Sequence, residues 1–66
     1  MSVVKVIELL SQSDKSWEDA AQQAVTVAGK SVRNIKSIYI ENMQAKIEGT
    51  KITSYKVDAK ISFVVE

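Results

Sequence analysis

The sequence contains no cysteine, no histidine and no proline, and only two of its 66 residues are glycine. Without cysteine the chain can form neither a disulfide nor a thiolate metal site. Without histidine it lacks the commonest general base and the commonest metal ligand. Chains this short usually need a disulfide, a structural metal or self-association for stability, and this composition favours self-association. We therefore expect a single domain over residues 1–66 that self-associates.

The charges give no sign of a nucleic-acid or membrane partner. Nine basic and eight acidic residues are interspersed along the chain, for a net charge of +1, whereas nucleic-acid binding usually requires a concentrated basic face. The N-terminal apolar run is short and contains Lys5 and Glu8, which excludes a signal peptide or a membrane span there. We expect a soluble cytoplasmic protein.

The first half of the chain predicts a strand followed by a helix. Residues 3–10 are rich in β-branched side chains and precede a polar loop. Ser16 and Asp19 have the spacing of a capping box, so the helix is predicted from Trp17 to about Ser31. Apolar residues follow helical spacing at Trp17, Ala20, Ala21, Ala24, Val25 and Ala28. Because Trp17 lies on this stripe, it is expected to be a packing anchor.

The second half predicts an antiparallel hairpin, with a turn over residues 48–51. Ile38 and Ile40 share one face of the second strand, whereas the alternation puts later apolar residues on the opposite face: Tyr39, Met43, Ala45 and Ile47. This change of face after Ile40 predicts a bulge or burial on both sides. The fold class is then α+β, with β-α-β-β order and a three-stranded antiparallel sheet in the order 1-3-2 around one helix.

The third strand, residues 52–66, is longer than the rest of the domain requires. A strand of about 14 residues spans roughly 45 Å, whereas a helix of about 15 residues spans roughly 22 Å. The apolar residues predicted on the excess are Ile61, Phe63 and Val65. They would form an exposed patch unless another copy covered them, so we assign them to assembly.

Four segments carry a family resemblance: KVIEL, SWEDAAQQAV, VRNI and SYKVDAKISF. Their order and spacing closely resemble the dodecins, over residues 4–63. The resemblance implies a hollow homododecamer that is not an enzyme and that binds or stores a small ligand, typically flavin. The lack of histidine and cysteine also disfavours catalysis.

The resemblance also implies a ligand site, but with altered residues. Ser37 stands where flavin-binding members have a stacking tryptophan, and Lys56 stands where they have a glutamine. Gln44 matches an arginine of some bacterial members. Tyr39 lies two residues beyond Ser37 and offers either a replacement ring or a subunit contact. Flavin binding is therefore expected to be weakened or altered, because lysine only donates and serine cannot stack.

The alternative is a structural shell that binds ions such as calcium, or metabolites, at its symmetry axes without flavin. A dodecin subgroup that lacks the tryptophan is associated with calcium, and the Ser16-Trp17-Glu18 helix start resembles it. Calcium prefers six to eight oxygen ligands, and no single loop is acid-rich, so the ligands of such a site would come from several subunits and are unknown. The alternating Lys56, Asp58 and Lys60 either line a lumen or form a solvated face.

Overall fold

The fold is α+β, with three antiparallel strands and one helix in β-α-β-β order. The computed structural model describes residues 2–65, so the predicted ends of the domain and of the third strand, Met1 and Glu66, lie outside the described residues. The elements are β1 (Val3–Ser13), α1 (Trp17–Ala28), β2 (Ile35–Glu48) and β3 (Lys51–Val65). The strand order β1-β3-β2 confirms the predicted topology. Among residues 2–65, no helix is long and apolar enough to cross a membrane.

The helix begins at the predicted cap but ends earlier than predicted. Ser16 is extended, and its side chain accepts a hydrogen bond from the Asp19 backbone N–H at 2.9 Å. The helix ends at Ala28 rather than at about Ser31. The Gly29 N–H still bonds four residues back, to the Val25 carbonyl at 2.9 Å, but those of Lys30 and Ser31 bond to carbonyls three residues back, at 3.1 and 3.0 Å. Such bonds belong to the tighter turns that close a helix.

β1 is longer than predicted, because its partner strand extends its pairing. Pairing with β3 continues through Ser11↔Val57 and Ser13↔Tyr55, beyond the predicted end of the strand at residue 10. Ser13 is buried, and its hydroxyl accepts a hydrogen bond from the Lys15 N–H at 3.0 Å. Long-range pairing therefore overrides the local preference of serine for loops.

The predicted bulge in β2 is confirmed, and it changes which face the following residues share. The register shifts between Ile40 and Asn42, which leaves Glu41 as the extra residue. Beyond it, Met43 pairs with Val57, and Ala45 pairs with Tyr55. Directly paired residues share a face, so the prediction that Met43 and Ala45 lie on the Tyr39 face was wrong.

The core lies between the alanine stripe of α1 and the middle of β3. The fully or almost fully buried apolar residues are Ala20, Ala24, Ala28, Val57, Ala59 and Ile61. Alanine lets the helix approach the sheet closely. The ring of Trp17 packs edge-on against Tyr55, with the centroids 4.9 Å apart, and its indole N–H donates to the Gln44 carbonyl at 3.0 Å. These contacts give Trp17 the predicted packing role.

The excess length of the sheet is real, but most of it lies at the end where β3 begins. The chain extends over 51 × 19 × 13 Å. Residues 51–54 of β3 lie beyond the pairing with β1. Ile47 and Ile52 pair there and are 61% and 44% exposed. Gly49, with φ +68°, supplies the left-handed turn residue between the two strands.

Ile61 therefore does not belong to an uncovered excess, because the helix covers it completely. Phe63 is half-buried, and Val65 is 43% exposed. They pair with Ile35 of β2 and Val3 of β1, respectively. Their role in assembly stays a prediction.

Candidate functional site

The sheet has a polar face on the side opposite the helix. Because side chains alternate along a strand, the residues of β3 between the buried Val57, Ala59 and Ile61 point to this side. We call the surface formed by Lys56, Asp58, Lys60, Ser62 and their strand neighbours the polar face. Every ligand residue implied by the family resemblance lies on it.

The four implied ligand residues form two separate groups on the polar face. Gln44 pairs with Lys56, and both line a shallow groove of about 300 Å³ together with Gln12, Ala45, Lys46 and Ser54. Ser37 pairs with Ser62, and their hydroxyl oxygens are hydrogen-bonded at 2.5 Å. Tyr39 pairs with Lys60 and is 64% exposed. Ser62 lies six positions along β3 from Lys56, roughly 20 Å, so one chain does not bring the two groups onto one ring.

Between these groups, three carboxylates from three different strands converge. Glu8 of β1, Glu41 of β2 and Asp58 of β3 each place a carboxylate oxygen within 4.8 Å of the other two. We call these three side chains the acid cluster. Asp58 pairs with Leu10 and Asn42, Glu8 pairs with Lys60, and Glu41 is the extra residue of the bulge. The bulge therefore helps to assemble the cluster.

One lysine partly neutralises the acid cluster. The Lys60 ammonium lies 2.9 Å from Oε1 of Glu41. This hydrogen bond and the charge of Glu41 raise the pKa of Lys60 above its usual value. With three carboxylates ionised, −3, and one ammonium, +1, the formal charge of the group is −2.

Among residues 2–65, neither Glu8 nor Asp58 forms an ion pair with a lysine or an arginine. The Asp58 carboxyl raises the pKa of Glu8, first through hydrogen bonding and then through its charge, and desolvation adds to the rise. Within the described part of the chain, Oδ1 of Asp58 is buried and has no hydrogen-bond partner. A cation bound between the two carboxylates would relieve their repulsion.

The acid cluster has the ligand chemistry and the dimensions that calcium requires. Calcium binds oxygen ligands at about 2.3–2.6 Å, so two oxygens on one ion lie at most about 4.6–5.2 Å apart. The separation of up to 4.8 Å in the cluster lies within that range. Three carboxylates supply part of the six to eight ligands, and water or another subunit would complete the shell.

The sequence reasoning did not find this cluster. Glu8 and Glu41 were not singled out, and Asp58 was noted only as part of an alternating stripe. The expectation that the ligands of a calcium site come from several subunits stays a prediction, although one chain by itself brings three carboxylates together. The usable signal was the change of face after Ile40, since a bulge there frees Glu41 from the strand alternation.

Comparisons with known proteins agree on one family. The dodecin family model matches residues 3–66. A curated calcium dodecin from Mycobacterium tuberculosis is 33% identical over 63 residues, which covers 96% of this chain and 89% of the relative. Its crystal structure, described as calcium-chelating with a novel calcium-binding site, matches with a TM-score of 0.83 over 98% of this chain and 93% of the other. A Thermus thermophilus dodecin variant matches with a TM-score of 0.94 and 26% identity, over 100% and 98% of the two chains.

Proposed function

The chain belongs to the dodecin family, and we propose that it is a non-enzymatic, self-associating protein that holds calcium at the acid cluster. The observation that carries this proposal is the convergence of Glu8, Glu41 and Asp58, with one buried Asp58 oxygen that has no partner in the described residues. A 33% identical relative is a calcium dodecin, which supports calcium as the cation. A storage or buffering role follows from binding without catalysis.

Each strand would contribute one ligand. Asp58 would supply the central oxygen, because β3 lies between the other two strands. Glu8 would bind in its ionised form, so a proton on Glu8 would compete with the cation. Glu41 would bind after its contact with Lys60 loosens. Calcium would supply only the positive charge that relieves the repulsion among these groups.

The test is calorimetric titration of chelator-treated protein with calcium chloride. We expect the wild type to bind calcium and Asp58→Asn to bind at least about tenfold more weakly, since it loses a charged ligand. Asp14→Asn, which removes an exposed loop carboxylate outside the cluster, is the matched control and should bind as the wild type does. Equal binding by the wild type and Asp58→Asn would refute the assignment.

Self-association is part of the proposal. We propose a homododecamer, as the family resemblance implies. From the composition and the mixed charges we also propose a cytoplasmic location, with no nucleic-acid or membrane partner. Large apolar side chains are exposed at the hairpin end and along β1, including Ile47, Ile52, Val4 and Leu10. Exposed apolar side chains in this number would be covered if copies of the chain packed together. Phe63 and Val65 are proposed to contribute at the opposite end of β3.

Weakened flavin binding is the second candidate function. It is supported by the groove beside Gln44 and Lys56, which is open and polar. The double variant Ser37→Trp with Lys56→Gln should bind riboflavin about tenfold or more tightly than the wild type. It regains a stacking surface and an amide that both donates and accepts. Quenching of riboflavin fluorescence measures this affinity. The single variant Ser62→Ala, which also breaks the Ser37–Ser62 bond, is the control and should leave quenching unchanged. If the double variant binds riboflavin no more tightly than the wild type, Ser37 and Lys56 do not occupy the flavin-contacting positions that the family resemblance implies.

A further inference from the structure

We infer that Lys60 is the internal counter-ion of the acid cluster and competes with the bound cation for Glu41, so that Lys60 sets the cation affinity of the site. This inference rests on the proposed calcium function. It concerns a side chain that does not bind the cation itself. Its consequence is that the cluster is balanced between two positively charged partners, one belonging to the chain and one from solution.

The position of Lys60 supports this role. In the register of the sheet Lys60 stands directly opposite Glu8, yet its ammonium contacts Glu41 at 2.9 Å. Lys60 thus pairs with one carboxylate of the cluster, whereas Glu8 and Asp58 form no ion pair among residues 2–65.

An ammonium and a divalent cation compete for the same oxygen. A calcium ion at about 2.4 Å from Glu41 would lie within several ångströms of the Lys60 nitrogen. Their repulsion is twice that between two unit charges and is weakly screened at such short range. Lys60 has a flexible stem, and 42% of its side chain is exposed, so it can move into solvent when the cation binds.

This competition predicts two effects of opposite sign when Lys60 loses its charge. Without a cation, the three carboxylates repel each other more strongly, so the protein should melt at a lower temperature. With calcium present, the competitor is gone, so affinity should rise. A lysine that merely made a surface ion pair would give a small loss of stability and no gain in affinity.

The experiment compares Lys60→Met with the wild type, Asp58→Asn and Lys51→Met. Lys51 is exposed on the same strand but lies at its hairpin end, opposite Glu48 and away from the acid cluster, so Lys51→Met is the charge-matched control. Each protein is treated with chelator, titrated with calcium chloride by calorimetry, and melted in chelator. If Lys60→Met is insoluble, Lys60→Gln serves the same purpose.

We expect Lys60→Met to bind calcium at least about tenfold more tightly than the wild type and to melt at a lower temperature in chelator. Lys51→Met should stay within about twofold of the wild type. If the wild type binds calcium, Asp58→Asn loses it and Lys60→Met gains nothing, the inference on Lys60 fails while the calcium function stands. An equal gain in Lys51→Met would also refute it, since the effect would then be general. Calcium binding by Lys60→Met alone would support the inference and refute calcium binding by the wild type, and binding by neither protein would refute both.

Discussion

The side chains of Asp19 and Asp58 are both carboxylates, but they differ in the hydrogen-bond donors that surround them. Asp19 accepts hydrogen bonds from the Ser13 hydroxyl at 2.5 Å and the Gln23 amide at 2.6 Å. Oδ1 of Asp58 is buried and has no such donor among residues 2–65. Asp19 therefore stabilises the start of the helix in its ionised form, whereas Asp58 is proposed to bind a cation through its buried oxygen.

The hydrogen bonds to Asp19 predict how stability depends on pH. The Ser13 and Gln23 bonds lower the pKa of Asp19 below its usual value. Because its pKa is lower in the folded than in the unfolded state, its contribution is complete above the unfolded value, near 4. It is lost as the pH falls through the lower, folded value.

We therefore expect Asp19→Asn to melt at a lower temperature than the wild type at pH 7 and to show a flatter decline below about pH 4. Thermal melts monitored by circular dichroism between about pH 2 and 7 measure this. Asp14→Asn, at an exposed loop position, should keep the acid-side slope of the wild type. If Asp19→Asn keeps that slope as well, the bonds to Asp19 do not stabilise the ionised carboxylate.

At the scale of elements, β3 contributes both to the hydrophobic core and to the candidate site. One of its faces provides the core residues Val57, Ala59 and Ile61, and the other provides Asp58 and Lys60 of the candidate site. A shift of β3 by one residue would exchange these faces. Burial of the apolar face therefore fixes the position of the polar side chains that are proposed to bind the cation.

The burial of Ile61 predicts a large cost for its truncation. Ile61 is 0% exposed and packs in the cluster with Ala24 and Ala28. Ile61→Ala should lower the free energy of unfolding by about 2–5 kcal/mol, and Ile61→Val by about 0.5–1.5 kcal/mol. Denaturant unfolding at fixed protein concentration measures both. A change below about 0.5 kcal/mol for Ile61→Ala would indicate that Ile61 lies on the exposed surface, as the sequence alone suggested.

The elements show where sequence periodicity is sufficient and where it is not. Strict alternation in β3 and the change of face after Ile40 predicted the topology and the bulge. The predicted ends of β1 and α1 were wrong for two different reasons. Pairing with β3 extends β1 to Ser13, and hydrogen bonds to carbonyls three residues back follow the end of α1 at Ala28. Local propensity contains neither of these effects.

The candidate site was less predictable than the fold, because it depends on register. The site consists of residues far apart in the sequence: Glu8, Glu41 and Asp58. The sequence around each of them is typical of a strand and does not mark it as a ligand. Only the pairing of β1 and β2 with β3, together with the bulge at Glu41, brings their oxygens together. The alternation within a single strand cannot show which side chains of the other strands lie beside it.

At the scale of the whole molecule, the shape is too long for a self-contained domain. The radius of gyration is 13.5 Å, whereas a compact chain of this length has one of about 11 Å. The hairpin end projects beyond β1 and α1 and exposes Ile47 and Ile52. Packing against other copies would bury these residues, which is the physical reason to expect an assembly.

The most direct test is native mass spectrometry of the wild type and Asp58→Asn, each treated with chelator and then equilibrated with calcium. We predict a twelve-chain mass for both proteins, with added mass that corresponds to calcium in the wild type and is lost in Asp58→Asn. The same calcium content in both proteins would contradict the acid cluster as the binding site. A wild-type assembly that carries flavin but no calcium would contradict the proposed function itself.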